Sequence, residues 1–265
     1  MVKKRITILI LLVFIFMSTS GCAVKDKANP TGFAYILEQA GRETYDWQVK
    51  AAPAPEKPGK QDQTSGYASQ PGKIAYLTFD DGPDSINTPI ILDILNRYGV
   101  KATFFVVGTN IEKNPEVLRE IVRRGHALGN HTYNHRYTGV YSGVYGFIKN
   151  VKVNEELIFR VAGLSPRIVR DPGGELRNSQ ALKRVLTQNG YRLVDWNVDS
   201  YDSRTPSSDG AIIIENLRRQ AKKQYLWPEM VILMHDSNGH LNSARALPTV
   251  IEMLLKQGFK FEVLK

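Results

Sequence analysis

Cysteine and histidine are scarce in this chain. Among its 265 residues there is one cysteine, Cys22, and there are five histidines. A single cysteine excludes a disulfide within the chain, and it also excludes a zinc site built on several thiolates. Any metal site must therefore use imidazole and carboxylate ligands.

The start of the chain also lacks a hydrophobic run long enough to cross a membrane. A basic segment at residues 3–5 is followed by an apolar run of twelve residues, 6–17. That run is shorter than the roughly 20 residues that cross a bilayer, but it suits the apolar region of a signal peptide. We therefore predict that residues 1–22 are a signal peptide.

The end of this segment resembles a bacterial lipobox, in which a cysteine is lipidated and becomes the new N-terminus. Gly21 and Cys22 match that motif, whereas Thr19 stands where an aliphatic residue is usual. We predict that a lipidated Cys22 anchors the protein to the outer face of a bacterial cell membrane. Ordinary secretion and an uncleaved anchor are the alternatives, and all three place the main domain outside the cytoplasm.

Composition and charge restrict the class of protein only loosely. Hydrophobic residues make up 42% and charged residues 23%, and the net charge is +9. These values are typical of a globular domain and exclude a fibre or a wholly disordered chain. The positive charge favours an anionic partner such as a cell wall or nucleic acid, although a merely solvated basic surface fits equally well.

The chain divides into a linker and one folded domain. Residues 23–70 contain a Pro/Ala/Lys-rich stretch at 51–60 and are predicted to form an extended linker, with a possible short helix at 33–49. Residues 71–265 are predicted to fold. Apolar runs predict strands at 74–79, 102–107, 168–169, 191–196, 230–234 and 259–264, and helical spacing predicts helices at 88–98, 115–124, 179–189, 211–223 and 246–257.

Alternating strands and helices predict an α/β fold around a parallel sheet. Both an open doubly wound sheet and a barrel fit this pattern. In either architecture the functional residues lie at the carboxyl ends of the strands. The chemically interesting residues of this sequence do follow apolar runs.

Three short segments carry the candidate chemistry. Asp80 and Asp81 directly follow the first predicted strand, where one carboxylate can bind a metal and the other can face a substrate, although such a pair also suits a turn. His131 and His135 are four apart and can chelate one ion from a helix or helical turn. His235 follows another strand and can serve as an acid or base, or merely cap the strand.

The order of five motifs is more specific than any of them alone. Together they resemble the NodB-like polysaccharide deacetylases, carbohydrate esterase family 4, over about residues 73–264. The motifs are residues 78–83 (TFDDGP), 131–135 (HTYNH), 170–174 (RDPGG), 199–202 (DSYD) and 233–236 (LMHD). The resemblance implies a distorted (β/α) barrel with fewer than eight βα units.

The resemblance also implies a role for each motif residue. Asp81, His131 and His135 would bind Zn²⁺ or another divalent ion such as Co²⁺ or Mn²⁺. Asp80 would be the general base and His235 the general acid. The remaining residues would support these groups: Arg170 keeps Asp80 ionised, Asp202 orients His235, Gly173 donates its N–H to the oxyanion, and Pro172 and Leu233 contact the substrate.

Two positions depart from the usual family pattern. Gly173 replaces an aromatic residue and Ser203 replaces a tryptophan, while Trp196 comes too early for that role. We therefore expect a more open acetyl pocket and sugar-binding wall. The Pro-Gly-Gly and Trp-Asn sequences are similar to those of some Gram-positive envelope enzymes, so the departures do not predict inactivation.

The predicted activity is the removal of N-acetyl groups from a cell-envelope polysaccharide, with peptidoglycan N-acetylglucosamine as the favoured substrate. Poly-N-acetylglucosamine exopolysaccharide is the alternative substrate. A catalytically silent wall-binding lipoprotein is the alternative of another class. We expect no nucleic-acid partner.

Overall fold

The computed structural model describes residues 72–136, 143–174, 176, 178–204 and 210–265. The predicted signal peptide, the predicted linker and the possible helix at 33–49 lie outside these residues. Within the described ranges, no helix combines the length and the apolar character needed to cross a membrane.

Eight strands and seven α-helices are found in the described residues. The strands are β1 Ile74–Asp80, β2 Thr103–Val106, β3 Ala127–Asn130, β4 Ile168–Val169, β5 Arg192–Leu193, β6 Val198–Asp199, β7 Met230–His235 and β8 Lys260–Phe261. The helices are α1 Asn87–Arg97, α2 Gly108–Lys113, α3 Pro115–Arg123, α4 Gly143–Ala162, α5 Gln180–Gln188, α6 Gly210–Ala221 and α7 Leu241–Lys256. Two 3₁₀ turns, Pro172–Gly174 and Gln224–Leu226, complete the set.

All strands pair in parallel and form one curled sheet. The order is β5-β4-β3-β2-β1-β7-β6, and β8 pairs with the beginning of β1. No pairing joins the outer strands β5 and β6 in the described part of the chain, so the curl remains open on that side. This is the predicted distorted (β/α) barrel, with helices packed around the outside.

Alternation along the strands separates two apolar layers. Phe104 belongs to the large cluster between the sheet and the helices, whereas its neighbour Phe105 belongs to a smaller cluster on the opposite face. Successive side chains of a strand point to opposite faces, so Phe105 lies inside the curl. The inner cluster also contains Ile168, Val194, Val231 and Leu264, and it forms the floor beneath the residues described next.

Several predicted elements differ in extent from those observed. The strands predicted at 191–196 and 259–264 shorten to Arg192–Leu193 and Lys260–Phe261. The helix predicted at 246–257 instead begins at Leu241 and continues through Pro248. Sequence reasoning missed β3, β6, α2 and the 20-residue helix α4, although α4 buries apolar residues at helical spacing.

Candidate active site

The carboxyl ends of β1, β3 and β7 bring the predicted residues of three motifs together. Asp80 and His235 are register partners on neighbouring parallel strands, so their side chains leave the sheet on the same face. Asp81 follows β1 directly, and His131 follows β3. The strand ends therefore form one site, as expected for this architecture.

Asp81, His131 and His135 form a compact cluster of potential metal ligands. One ligand atom from each lies within 4.8 Å of the others. The Nε2 atoms of His131 and His135 stand 3.3 and 2.9 Å from Asp81 Oδ1. The two histidines lie on a loop rather than a helix, because Thr132 and His135 have positive φ values of 67° and 50°; the predicted helix or helical turn is wrong here.

This cluster fits a divalent metal. A tetrahedral zinc ion with ligand bonds of about 2.0–2.2 Å separates its ligand atoms by roughly 3.3–3.5 Å, close to the observed distances. Asp81 Oδ1 is buried beside the two imidazole nitrogens and makes no hydrogen bond of good geometry in the described structure, an arrangement that a shared cation would satisfy. Burial opposes ionisation of Asp81, but the two adjacent imidazoles lower its pKa well below its usual range.

Asp80 stands beside this cluster and is held by a buried arginine. Its Oδ1 accepts a 2.8 Å hydrogen bond from Arg170 Nη1, and its Oδ2 lies 3.8 Å from His131 Nε2. Arg170 is only 1% exposed, and it also donates to Thr78 Oγ1 at 2.7 Å. One carboxylate oxygen is therefore fixed, and the other faces the potential metal ligands.

Arg170 is stabilised by its surroundings as well as by its charge partner. Its guanidinium carbon lies 4.0 Å from the centre of the Phe105 ring, and it donates to the carbonyl oxygens of Val194 and Asp195. A guanidinium stacks well on an aromatic face and presents its donors in one plane. Arg170 thus orients Asp80 from the interior of the curled sheet, and it does not line the cavity described below.

His235 is held by Asp202 at two points. Asp202 Oδ1 lies 2.7 Å from His235 Nδ1, and Asp202 Oδ2 accepts the His235 backbone N–H at 2.8 Å. Ser243 Oγ donates to the same Oδ2 at 2.5 Å. Because Nδ1 is bound to the carboxylate, Nε2 is the nitrogen available for proton transfer.

The pair of Asp202 and His235 favours the charged imidazole. Burial by itself would lower the pKa of His235, but the hydrogen bond and charge of Asp202, with the charges of Asp81 and Asp80, raise it to about 9. A divalent cation on Asp81 would oppose the effect of these negative charges, and its binding would therefore lower the pKa of His235. Conversely, His235 and Ser243 lower the pKa of Asp202 against the effect of its burial.

A cavity of about 650 Å³ opens over these groups. Gly173 and Leu233 line it, as predicted, together with Trp196, Tyr201 and other polar residues of the same edge. Pro172, which was predicted to contact the substrate, is buried and does not belong to the described cavity wall. The following residue, Gly173, has a φ of 69° and is exposed to the cavity instead.

Trp196, which received no role in the sequence analysis, is part of the cavity wall. A Cβ on Gly174, whose φ is +68°, would lie 2.6 Å from the Trp196 ring. The ring therefore packs directly on the backbone of the third motif, and only glycine permits this approach. Trp196 thus supplies an aromatic surface to the cavity wall from a different position in the sequence.

The catalytic groups, their order and the curled parallel sheet agree with comparisons to known proteins. The family model for polysaccharide deacetylase matches residues 67–194. One peptidoglycan-N-acetylglucosamine deacetylase of Bacillus cereus is 40% identical to this chain over 190 residues, which cover 71% of this chain and 66% of the relative. A second from the same organism is 32% identical over 195 residues, which cover 72% of this chain and 68% of the relative. The chain belongs to the polysaccharide deacetylase family.

The fold of this deacetylase is also found in solved structures. A crystal structure of a polysaccharide deacetylase from Bacillus cereus superimposes with a TM-score of 0.65 at 33% identity, covering 73% of this chain and 92% of the other. The chain matches about two thirds of the length of the two curated relatives. Family membership establishes a hydrolase that cleaves N-acetyl groups, and the family uses a divalent metal, for which the Asp81, His131 and His135 cluster provides a site.

Two further residues of this deacetylase were given no role from the sequence: Ser243 lies outside the five motifs, and Asp236 is the last residue of the fifth motif. Ser243, in the first turn of α7, completes the environment of Asp202. Asp236 is fully buried and accepts hydrogen bonds from Gly82 N–H at 3.0 Å and Thr88 Oγ1 at 2.6 Å. Burial raises the pKa of Asp236 to about 7. Asp236 therefore ties the end of β7 to the turn that presents Asp81.

Proposed function

We propose that this deacetylase hydrolyses the N-acetyl group of N-acetylglucosamine in peptidoglycan at the outer face of a bacterial cell membrane. One observation carries the proposal: Asp80 and His235 share the edge of the sheet beside the Asp81, His131 and His135 cluster. The relatives named for this activity supply the substrate class. Amide hydrolysis needs a base for water and an acid for the leaving amine, and both face one cavity here.

Asp81, His131 and His135 are the residues that would hold Zn²⁺, or Co²⁺ or Mn²⁺. Such an ion, when bound, makes water acidic enough to react near neutral pH and polarises the acetyl carbonyl. Two imidazoles and one carboxylate are the ligand set of catalytic zinc sites that keep a position open. His131 is oriented for this role by a 2.9 Å contact between its Nδ1 and the Arg170 carbonyl oxygen, which leaves Nε2 for the ion.

The two flanking groups divide the proton transfers. Asp80, through its free Oδ2, takes a proton from the attacking water as the new carbon–oxygen bond forms. The Gly173 backbone N–H, at the edge of the cavity, is the protein group assigned to stabilise the oxyanion that develops. His235 then donates the proton on Nε2 to the sugar nitrogen while the carbon–nitrogen bond breaks. Acetate and a free amino sugar leave, and the proton on Asp80 balances the one that His235 gave up.

The cavity walls assign a place to the two ends of the acetamido group. Leu233 is 5% exposed and offers an apolar contact for the acetyl methyl group. Trp196 offers an aromatic face against which a sugar ring can pack.

The proposed location depends on Cys22. The basic, apolar and small-residue segments of residues 1–22 support export, and the Gly-Cys ending supports lipidation. Membrane fractionation of the wild-type chain and of Cys22→Ala tests the anchor. The variant is expected to be released or left unprocessed, and equal membrane retention after signal cleavage would contradict lipidation.

The activity is tested by acetate release from purified peptidoglycan, followed by mass analysis of the digested glycan strands. We expect glucosamine in place of N-acetylglucosamine, loss of product with a chelator, and recovery on addition of Zn²⁺ or Co²⁺. Asp80→Asn serves as the matched inactive control. Product from poly-N-acetylglucosamine but not from peptidoglycan would instead indicate an exopolysaccharide enzyme, and no product from either would indicate a silent wall-binding protein.

A further inference from the structure

In the loop that carries His131 and His135, side chains accept hydrogen bonds from several backbone N–H groups. It is neither helix nor strand, since Thr132 and His135 have positive φ values. Its N–H groups therefore have no regular partners, and buried N–H groups without partners are costly. Three of these N–H groups donate hydrogen bonds to asparagine side chains.

Asn150 accepts two of these bonds. Its Oδ1 receives the Tyr133 N–H at 2.7 Å and the Asn134 N–H at 3.3 Å. A side-chain amide oxygen has two lone pairs, so one residue can fix two consecutive peptide groups. These two peptides lie between the two histidines, where a small rotation would separate the two rings.

Asn130 and Asn154 fix the first peptide of the loop. Asn130 Oδ1 accepts the Thr132 N–H at 2.9 Å. Asn154 Nδ2 donates to that same oxygen at 3.0 Å and to the Val106 carbonyl at 2.9 Å. Asn154 is fully buried. It lies one helical turn after Asn150, so both project from the same face of α4.

The carbonyl groups of the loop are held from the other side. Gly108 N–H donates to the Thr132 carbonyl at 3.1 Å, and Thr109 N–H donates to the Tyr133 carbonyl at 2.8 Å. The loop thus lies between the first residues of α2 and the asparagines of α4. Neither helix contributes a metal ligand.

We infer that Asn130, Asn150 and Asn154, here called the asparagine clamp, are positioning residues that set the metal affinity of this site. The inference rests on the proposed metal site. Neutral amides suit the task, because they accept N–H bonds without adding charge beside the ligands. Residues that orient metal ligands typically change metal affinity or activity by about 10–100-fold when mutated.

Asn150→Ala is the most informative variant, because Asn150 is only half-buried and the helix tolerates alanine. We expect the dissociation constant for Zn²⁺, measured by competition with a chromophoric chelator, to rise by about 10–100-fold. The visible absorption of the Co²⁺ form is expected to weaken or shift as the two imidazoles lose their fixed spacing. Asn150→Asp keeps the accepting oxygen, so it is expected to restore the Co²⁺ spectrum and to bind Zn²⁺ at least as tightly as the wild type, because its added negative charge also attracts the ion.

A matched control separates positioning from general stability. Asn189 ends α5 and makes one hydrogen bond to the Val185 carbonyl at 2.8 Å, away from the loop. Asn189→Ala is expected to leave metal affinity unchanged even if the apo protein melts at a lower temperature. Asn154→Ala, which leaves Asn150 intact, is expected to weaken affinity as well, provided that circular dichroism shows it folded.

The possible outcomes are distinct. Wild-type metal affinity and an unchanged Co²⁺ spectrum in Asn150→Ala would overturn the inference. So would an equal loss in Asn189→Ala, or a failure of Asn150→Asp to restore affinity. A wild-type protein that binds no metal would instead overturn the proposed function itself.

Discussion

On each of the two sides of the cavity a buried side chain orients a group proposed to transfer a proton, but the two sides use different residue types. The base side comprises Asp80 with Arg170 and the cluster of Asp81, His131 and His135. The acid side comprises His235 with Asp202 and Ser243. On each side a buried partner orients the group that handles the proton.

The partners differ in their chemistry. Arg170 is a planar guanidinium that fixes one Asp80 oxygen by a 2.8 Å hydrogen bond. The pair of His235 and Asp202 holds a proton that can leave. We therefore expect substitutions on the base side to change how much activity there is, and substitutions on the acid side to change the pH at which activity is lost.

Removing a metal ligand breaks the base side most completely. His131→Ala is expected to reduce acetate release below detection and to reduce bound metal, because the site loses one of three protein ligands. Inductively coupled plasma analysis of the purified variant measures the metal. A variant that stays active without bound metal would refute the ligand assignment.

Asp80→Asn breaks the base side while leaving the ligands in place. We expect kcat/KM to fall by about 10²–10⁴-fold, the usual contribution of a general base, with metal content unchanged. The same metal analysis, combined with the acetate assay, distinguishes this variant from His131→Ala. Loss of the metal here would mean that the roles of Asp80 and Asp81 are exchanged.

Asp202→Asn changes the acid side and sharpens the contrast in pH dependence. His235 acts as the protonated imidazole, which exists below its pKa, so activity falls as pH rises through that pKa. Replacing the Asp202 carboxylate removes the main group that raises this pKa. The falling limb of kcat/KM is therefore expected to move to lower pH, with the metal retained.

If the falling limb of the kcat/KM profile does not move in Asp202→Asn, a group other than His235 determines that limb. Asp199 is the first alternative, since it lines the cavity and its burial raises its pKa. A pH profile of Asp199→Asn, measured beside that of Asp202→Asn, identifies which carboxylate is responsible.

Ser243→Ala is expected to have the smallest effect, and of opposite sign. The Ser243 hydroxyl withdraws charge from Asp202 Oδ2 by donating to it. Without this bond the carboxylate faces His235 with more charge, so the falling limb is expected to move slightly to higher pH. We expect kcat/KM at neutral pH to change by less than about tenfold, which corresponds to 1.4 kcal/mol. A shift to lower pH would show that Ser243 acts by orienting Asp202.

The sequence was sufficient to predict the groups that follow strands. Asp80, Asp81, His131 and His235 all end or follow strands of a parallel sheet, and such ends converge by geometry alone. The order of the motifs added the partners Arg170 and Asp202, whose contacts span many residues and have no local signature.

Residues that act through backbone geometry were less accessible. Asn150 on α4 and Ser243 on α7 look like ordinary helix residues, and their roles depend on where a distant loop or carboxylate lies. Trp196 was set aside because its position in the sequence differs from the family pattern. In the fold, however, the glycine at position 174 admits the ring to the same wall. Similar surfaces can thus be built from different positions, which a motif does not express.

The pairing of β1 with β7 also determines when the site is assembled. The hydrogen bond between Thr78 and Ile232 joins residues 154 positions apart, whereas the base side is contained between β1 and β4. Contacts of long sequence separation form late, because loop closure must be paid in entropy first. A chain made from its N-terminus contains every residue of the base side before β7 has been synthesised. Of the two groups proposed to transfer protons, His235 is therefore synthesised second, and the site cannot be complete until β1 has paired with β7.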